Sequence, residues 1–380
     1  MGSPLSALTI EELRRRSSLK WRAYPPDVLP LWVAEMDVPL APAVVEAIVA
    51  AARAGDTGYP AGTAYAEALS DFAAQRWGWG FEIGQAALVA DVMTGLMEML
   101  ALVTSPGDPV VVNPPVYPPF YGYLEHAGRR AVDAPLDANG RLDLEALAEA
   151  FRAAVAGGGR AAYLLCNPQN PTGAAHAREE LAAVAGLAGE YGVRVVVDEI
   201  HAPIYRGGAV HTPYLSVPGA ETGFSVMSAS KAWNLAGLKA AVAVAGPDAV
   251  GDLAVLHEMV SHGPSHVGIL AHVAGLTNGR DWLDDVLADL DRNRRLLGEL
   301  LAKHLPEARY VEPAATYLAW LDCRDLGLGD DPAAVFLERS RVALNSGLAF
   351  GRGGAGHVRL NFATSPAILE EAITRLATTL

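Results

Sequence analysis

A chain of 380 residues with a 51% hydrophobic composition can bury a substantial core, enough for two or three domains or one large α/β unit. The formal net charge of -14 argues against a nucleic-acid or anionic-membrane surface, since either needs a cationic face, but it leaves room for a small anion held by local cations. The two cysteines, Cys166 and Cys323, stand in no Cys-x-x-Cys or Cys/His cluster, so no disulfide framework and no structural zinc are expected, and a reducing cytoplasm is.

In chain order, the opening MGSPLSALTIEELRRRSSLK lacks the apolar core of a signal peptide, and its MGSPLS fits the loose acylation pattern only as a chance match. No uninterrupted apolar run reaches the about 18 residues that a spanning helix needs. Six short apolar or β-branched runs follow: AALVADVMT, PVVVNPP, AAYLLCNP, VRVVVDEI, FSVMSAS and AAVAVAG. Helical patterns such as LMEMLALVT and AREELAAVAGLAGEYG lie between them. The alternation predicts an α/β fold, a mainly parallel sheet with helices on both faces. From residue 279 or so a long charged helix, RDWLDDVLADLDRNRRLLGELLAKHL, leads into a strand pair in ARYVEPAATYLAWLDC and a further strand, HVRLNFA. The expected division is a large domain over 45–280 and a smaller α+β domain made of 1–44 with 281–380.

In a parallel sheet the functional groups collect in the loops after the carboxyl ends of strands. Five such ends carry candidates here: Thr94-Gly95, Asn113-Pro-Pro, the NPQNPTG loop at 167–173, Asp198, and Ser228 to Lys231. NPQNPTG is either a tight turn and no more, or a frozen loop that offers the Asn170 amide to a ligand oxygen. Asp198 ends an almost wholly apolar strand, where a carboxylate is costly unless it is paired. A structural salt bridge or a helix cap is the ordinary use of such a group; a carboxylate facing a protonated ring nitrogen is the functional one.

Positive charge is carried mostly by arginine. Only four lysines occur, Lys20, Lys231, Lys239 and Lys303, and two of them lie eight apart in FSVMSASKAWNLAGLKAAVAVAG. A lysine in a strand-end crevice, stripped of water and near another cation, has a lowered pKa and can attack a carbonyl to form a Schiff base. Ser228, Ser230 and Lys239 are donors suited to a phosphate. For either lysine taken alone, a plain surface position is the ordinary alternative.

Taken together, TGLMEML, NPPVYPPF, CNPQNPTG, VVVDEIH, SASKAWNLAGLK and HVRLNFATS, in this order along most of the chain, resemble the pyridoxal-phosphate enzymes of fold type I, aminotransferase class I/II. Within that group PLWVAEMDVP, the GYP at 58–60, DEIH and SKAWNLAGLK are similar to the cystathionine β-lyase (MalY/PatB-like carbon-sulfur lyase) branch. The resemblance implies that Lys231 bonds the cofactor, pyridoxal 5'-phosphate, and then shuttles the Cα proton. It implies Asp198 on the pyridine nitrogen, Asn170 on the ring oxygen and beside the substrate, and Tyr117 stacked on the ring, where a buried core aromatic is the ordinary alternative. Gly95 and Leu96 would present backbone donors to the phosphate at a helix N-terminus, beside Ser228, Ser230 and Lys239. Tyr59 would reach the phosphate from the neighbouring subunit, which makes a homodimer the expected unit.

Arg359 would grip the substrate carboxylate, a task its planar fork suits. Trp32, Trp233 and residues near His262 are candidates for the pocket mouth. His201, counted among the cofactor contacts, stands where many aminotransferases have Tyr, and Glu35 stands where the lyase branch commonly has Asp. GRGGAG at 351–356 lacks the Lys-Ser/Thr of a P-loop and is expected to be a flexible approach to the Arg359 strand. The expected reaction is β-elimination from an L-cysteine S-conjugate such as cystathionine, giving thiol, pyruvate and ammonia. An aminotransferase, or another pyridoxal-phosphate enzyme of secondary metabolism, would share the first half of that path. A purely regulatory protein on this fold would have no use for Lys231, Asp198, Asn170 and Arg359 together.

Overall fold

The computed structural model describes residues 3–379, so the acylation pattern at Gly2 lies outside the described residues. Seven strands form the main sheet: β1 (Ala86–Val89), β2 (Pro109–Val112), β3 (Arg130–Asp133), β4 (Ala162–Cys166), β5 (Arg194–Asp198), β6 (Phe224–Met227) and β7 (Ala241–Ala245). Their order is β1-β7-β6-β5-β4-β2-β3. Strands β2 to β6 pair in parallel, and β7 runs antiparallel to both β6 and β1. The reversal goes with the link: between Met227 and Ala241 the chain makes turns and no crossover helix, and it returns antiparallel.

The central strands are buried on both faces, which is why PVVV, AYLLC and AVAVA read as continuous apolar runs. Alternate residues face alternate layers. Val110 and Val112 pack with the helix α1 (Val92–Val103), whereas Val111 turns to the layer that holds Leu147, Phe151 and Leu181.

Helix α1 starts earlier than the run AALVADVMT suggests. Strand β1 ends at Val89, and Asp91 caps the helix by accepting the Thr94 N–H at 2.8 Å. Gly95 is therefore inside the helix, and a Cβ there would stand 2.6 Å from Val89 Cγ2 and 3.0 Å from Val226 Cγ1. Gly95→Ala is expected to cost about 1–3 kcal/mol by overpacking, read as a lower midpoint in urea unfolding.

After the helix Arg280–His304, an antiparallel sheet forms from β8 (Arg309–Tyr310), β9 (Leu318–Asp322), β10 (Asn345–Ser346) and β11 (His357–Asn361), in the order β10-β11-β9-β8. The N-terminal segment joins this part, since Leu29–Pro30 pairs in parallel with Val342–Ala343. The expected flexible GRGGAG is instead a hydrogen-bonded turn. Gly354 donates to Gly351 O at 3.1 Å, Gly356 donates to Asp330 O at 2.8 Å, and a Cβ on Gly354 would meet Gly347 O at 1.9 Å. Its glycines serve close backbone approach. Among the described residues no helix is long and apolar enough to cross a membrane.

Candidate active site

A cleft of about 270 Å³ opens at the carboxyl ends of β4, β5 and β6, and Asn170, Asp198, His201, Lys231, Tyr117 and Ser230 all line it. Lys231 enters from the turn after β6. The Ser230 N–H donates to Ser228 Oγ at 3.1 Å, and the Leu235 N–H to Ser230 O at 2.7 Å. Beneath the turn, buried Tyr65 accepts the Ala229 N–H at 3.1 Å and meets Nδ1 of buried His272 at 2.7 Å. The lysine amine donates to Ala34 O at 3.0 Å. Loss of water, then the Arg359 charge, draw its pKa down to about 8, with Glu35 and Asp198 pulling the other way.

Asp198 ends β5 and is buried, and among the described residues its carboxylate accepts only the Ile200 N–H, at 3.0 Å. Burial pushes its carboxyl up to about 7, a rise that this hydrogen bond and the Lys231 charge only partly offset. Its neighbour Glu199 holds the strand end in place: the carboxylate accepts from Asn167 Nδ2 at 2.8 Å, the Tyr214 N–H at 2.9 Å, His211 Nε2 at 3.1 Å and the Ser225 hydroxyl. His201 is buried with Nδ1 unpartnered, and burial followed by Lys231 and Arg359 keeps its ring neutral.

Arg359, on β11, is a buried cation served, among the described residues, only by neutral acceptors. Nη1 donates to Asn170 Oδ1 at 2.9 Å, and Nη2 to Asn345 Oδ1 at 2.6 Å and Trp32 O at 3.2 Å, while Nε has no partner. Burial lowers its pKa to about 10. A buried guanidinium without a carboxylate is costly until an anion arrives. Because Asn170 gives its oxygen to Arg359, its Nδ2 is the group left for a ligand. Tyr117 reaches the cleft from the loop after β2, edge-on to Phe120 at 5.8 Å.

Several expected contacts move. The Gly95 N–H is spent on Asp91 O at 2.8 Å and Leu96 is fully buried in the core, so neither faces the cleft. Val92 and Met93 line the cleft instead, and their N–H groups, in the first turn, are among those a helix leaves without intrahelical partners. Ser228 lines the cleft but donates its hydroxyl to Ala240 O at 2.8 Å. Lys239 pairs with Asp91 at 2.6 Å on the rim. Trp32 takes part through its carbonyl, its indole edge-on to Tyr24 at 5.8 Å. Trp233 is core, donating Nε1–H to Gly279 O at 3.0 Å. Tyr59 is 84% exposed, beside His262, and does not line this chain's own cleft. Sequence reasoning missed Ala34, Val92, Met93 and the Tyr65–His272 pair. An aspartate ahead of an apolar helical run, the N-cap signal, marks where α1 begins and would have located the two amides.

Fold and site together define a class: a doubly wound α/β enzyme with a lysine of lowered pKa and a buried carboxyl in one cleft, beside a buried arginine. The chain belongs to the aminotransferase class I and II family, whose sequence model matches residues 26–376. It is 57% identical to a chain of Mycobacterium leprae provisionally named cystathionine beta-lyase, over 99% of this chain and 98% of that one. It is also 36% identical to the cystathionine beta-lyase of Corynebacterium glutamicum, over 98% and 99%. Among solved structures, a chain from Corynebacterium diphtheriae, provisionally described as a PLP-dependent beta-cystathionase, superposes with a TM-score of 0.91 at 37% identity, covering 98% of each chain.

Proposed function

We propose that this chain is a pyridoxal 5'-phosphate-dependent carbon-sulfur β-lyase that cleaves L-cystathionine, or another L-cysteine S-conjugate, to thiol, pyruvate and ammonia. One observation carries the reading: the near-neutral amine of Lys231 shares a cleft with Asp198, at the edge of which Arg359 has no carboxylate of its own. The names of the relatives support lyase chemistry over the other reactions of the family.

The cofactor fits the residues present. Asp198 is a buried acid without an ion pair, suited to hold a proton against a ring nitrogen. Asn170 Nδ2 is free for a ring oxygen, and Tyr117 offers a ring face. Val92 and Met93 N–H, the Ser230 hydroxyl and Lys239 make a phosphate cradle at the start of a helix. Bound there, pyridoxal phosphate supplies the sink for the electrons left at the substrate Cα. Arg359 orients the substrate carboxylate, Lys231 Nζ takes the Cα proton, and the walls of Tyr117 and Ile200 keep bulk water back. A thiolate of pKa about 8.5 is an acceptable leaving group.

A homodimer completes the reading, with Tyr59 reaching the partner's phosphate; its exposure and its place outside the lining of its own cleft support this. The two-part division at 45–280, and 1–44 with 281–380, is supported by the pairing of Leu29–Pro30 with Val342–Ala343. A cytoplasmic setting is supported by two free, buried cysteines.

Arg359→Lys is expected to lose at least one charge-assisted hydrogen bond, about 1.5–3 kcal/mol, so KM rises about 10- to 100-fold with kcat less affected. The deciding assay follows pyruvate and free thiol from cystathionine without any keto acid. Strict dependence on a keto acid would make the enzyme an aminotransferase and sink the proposal.

A further inference from the structure

Lys231 is not alone in meeting the segment 32–37, which forms no strand yet has five of its six carbonyls, those of residues 32 to 36, engaged by side chains. Asn361 Nδ2 donates to Val33 O and to Glu35 O, each at 2.7 Å, and Lys20 Nζ, buried and paired with Asp37 at 2.8 Å, donates to Glu35 O at 3.1 Å. The Ala34 carbonyl between them accepts two donors, the Tyr317 hydroxyl at 3.0 Å and the Lys231 amine at 3.0 Å.

The turn that carries Lys231 is bolted to the same segment by Asn234. Its Oδ1 accepts the Met36 N–H at 2.8 Å and its Nδ2 donates to Met36 O at 3.0 Å, so one amide grips both polar groups of one residue. Asn234 does this from a left-handed backbone with φ 58, one of three non-glycine residues in that region among the described residues. Asparagine tolerates this conformation better than most residues, but it still costs energy and persists where the surroundings demand it. The grip holds Ala34 and Lys231 at a set separation across two segments nearly two hundred residues apart in sequence. An amine that gives one N–H to a fixed carbonyl has its lone pair confined to the two tetrahedral positions that remain.

We propose that Asn234 is a positioning residue for Lys231: by clasping Met36 it sets the Ala34 carbonyl as the rest against which the free lysine amine is aimed. The proposal rests on the role given to Lys231 above. It goes beyond that role by assigning the aim of the amine to a side chain that need not touch cofactor or substrate.

The test uses the full-length apoprotein and two ligands. Pyridoxal phosphate is captured covalently by Lys231 and followed by its absorbance; pyridoxine 5'-phosphate has an alcohol where the aldehyde would be, so it reports binding alone. Asn234→Gly keeps the left-handed turn and deletes the clasp. The rate of covalent capture is expected to fall about 10- to 100-fold, as misplacement of a reacting group by about 1 Å does, with pyridoxine phosphate affinity unchanged. In the reloaded enzyme kcat falls with KM little moved.

Should the glycine variant not fold, Asn234→Asp decides. It keeps the acceptor for Met36 N–H, loses the donor to Met36 O, and is expected to slow capture in the same direction by less. Capture at the wild-type rate in the variant that folds overturns the proposal, and so does an equal loss of pyridoxine phosphate binding, which would make Asn234 a general support of the cleft. A wild-type chain that captures no pyridoxal phosphate sinks the cofactor reading itself, a result distinct from either.

Discussion

Lys231→Ala is expected to give a folded chain that binds pyridoxal phosphate only reversibly, lacks the absorbance of the lysine-bonded cofactor, and releases no pyruvate from cystathionine above the rate of free cofactor. Two losses combine. The covalent tether disappears, and so does the amine that takes the Cα proton, a general-base contribution worth about 10²- to 10⁴-fold by itself. Stability should hardly suffer, because the side chain makes one hydrogen bond, to Ala34 O at 3.0 Å, from a site that disfavours its charge. Urea unfolding, absorbance and pyruvate release read the three effects separately. Turnover that persists in this variant would overturn the assignment of Lys231.

Asp198→Asn is expected to move activity and stability in opposite directions. Asparagine cannot hold a proton against a ring nitrogen, and loss of one fixed charge opposite developing charge costs about 10²- to 10³-fold in kcat. In the apoprotein the same change should stabilise above neutrality. Burial raises the Asp198 pKa from 3.8 to about 7, so between those values the folded chain binds more protons than the unfolded one. The contribution of this group to stability is therefore fully present below about pH 4 and lost as pH rises through about 7. The variant does not titrate, and its Oδ1 can still accept the Ile200 N–H. Urea midpoints of wild type and variant should agree near pH 4 and separate in the variant's favour by pH 8. A variant less stable at pH 8 would mean that the carboxylate has an ion-pair partner in solution, contrary to its surroundings here.

These two residues were legible because each breaks the pattern of its own segment. A carboxylate at the end of VRVVVDEI and a lysine in an arginine-preferring chain are anomalies of local chemistry, visible without coordinates. The sheet was legible for a related reason: strands buried on both faces must be apolar along their whole length, and PVVV, AYLLC and AVAVA are. The antiparallel direction of β7 goes with a link to β6 made of turns and no crossover helix, and AAVAVAG carries no mark of direction.

The helix residues that line the cleft, Val92 and Met93, stand two or three residues before Gly95 and Leu96, and apolar pattern alone does not show where the strand AALV ends and the helix begins. Asp91 marks the helix start only when it is read as a cap. Trp32 was singled out as a side chain and serves as a carbonyl, and any residue can offer a carbonyl. The same holds for Ala34, whose side chain has nothing to draw the eye.

The sequence by itself determined which chemical groups this protein possesses, the strand ends they follow, and hence the family to which the chain belongs. Tertiary structure decided which backbone groups meet them. Lys231 rests on Ala34 and Asn234 grips Met36 across segments distant in sequence, and Arg359 comes from a separate sheet to an asparagine in the loop after β4. The physical reason is that a side chain's chemistry is local to its residue. Its solvation, its partners and the pKa values that follow from them are properties of what the fold packs around it.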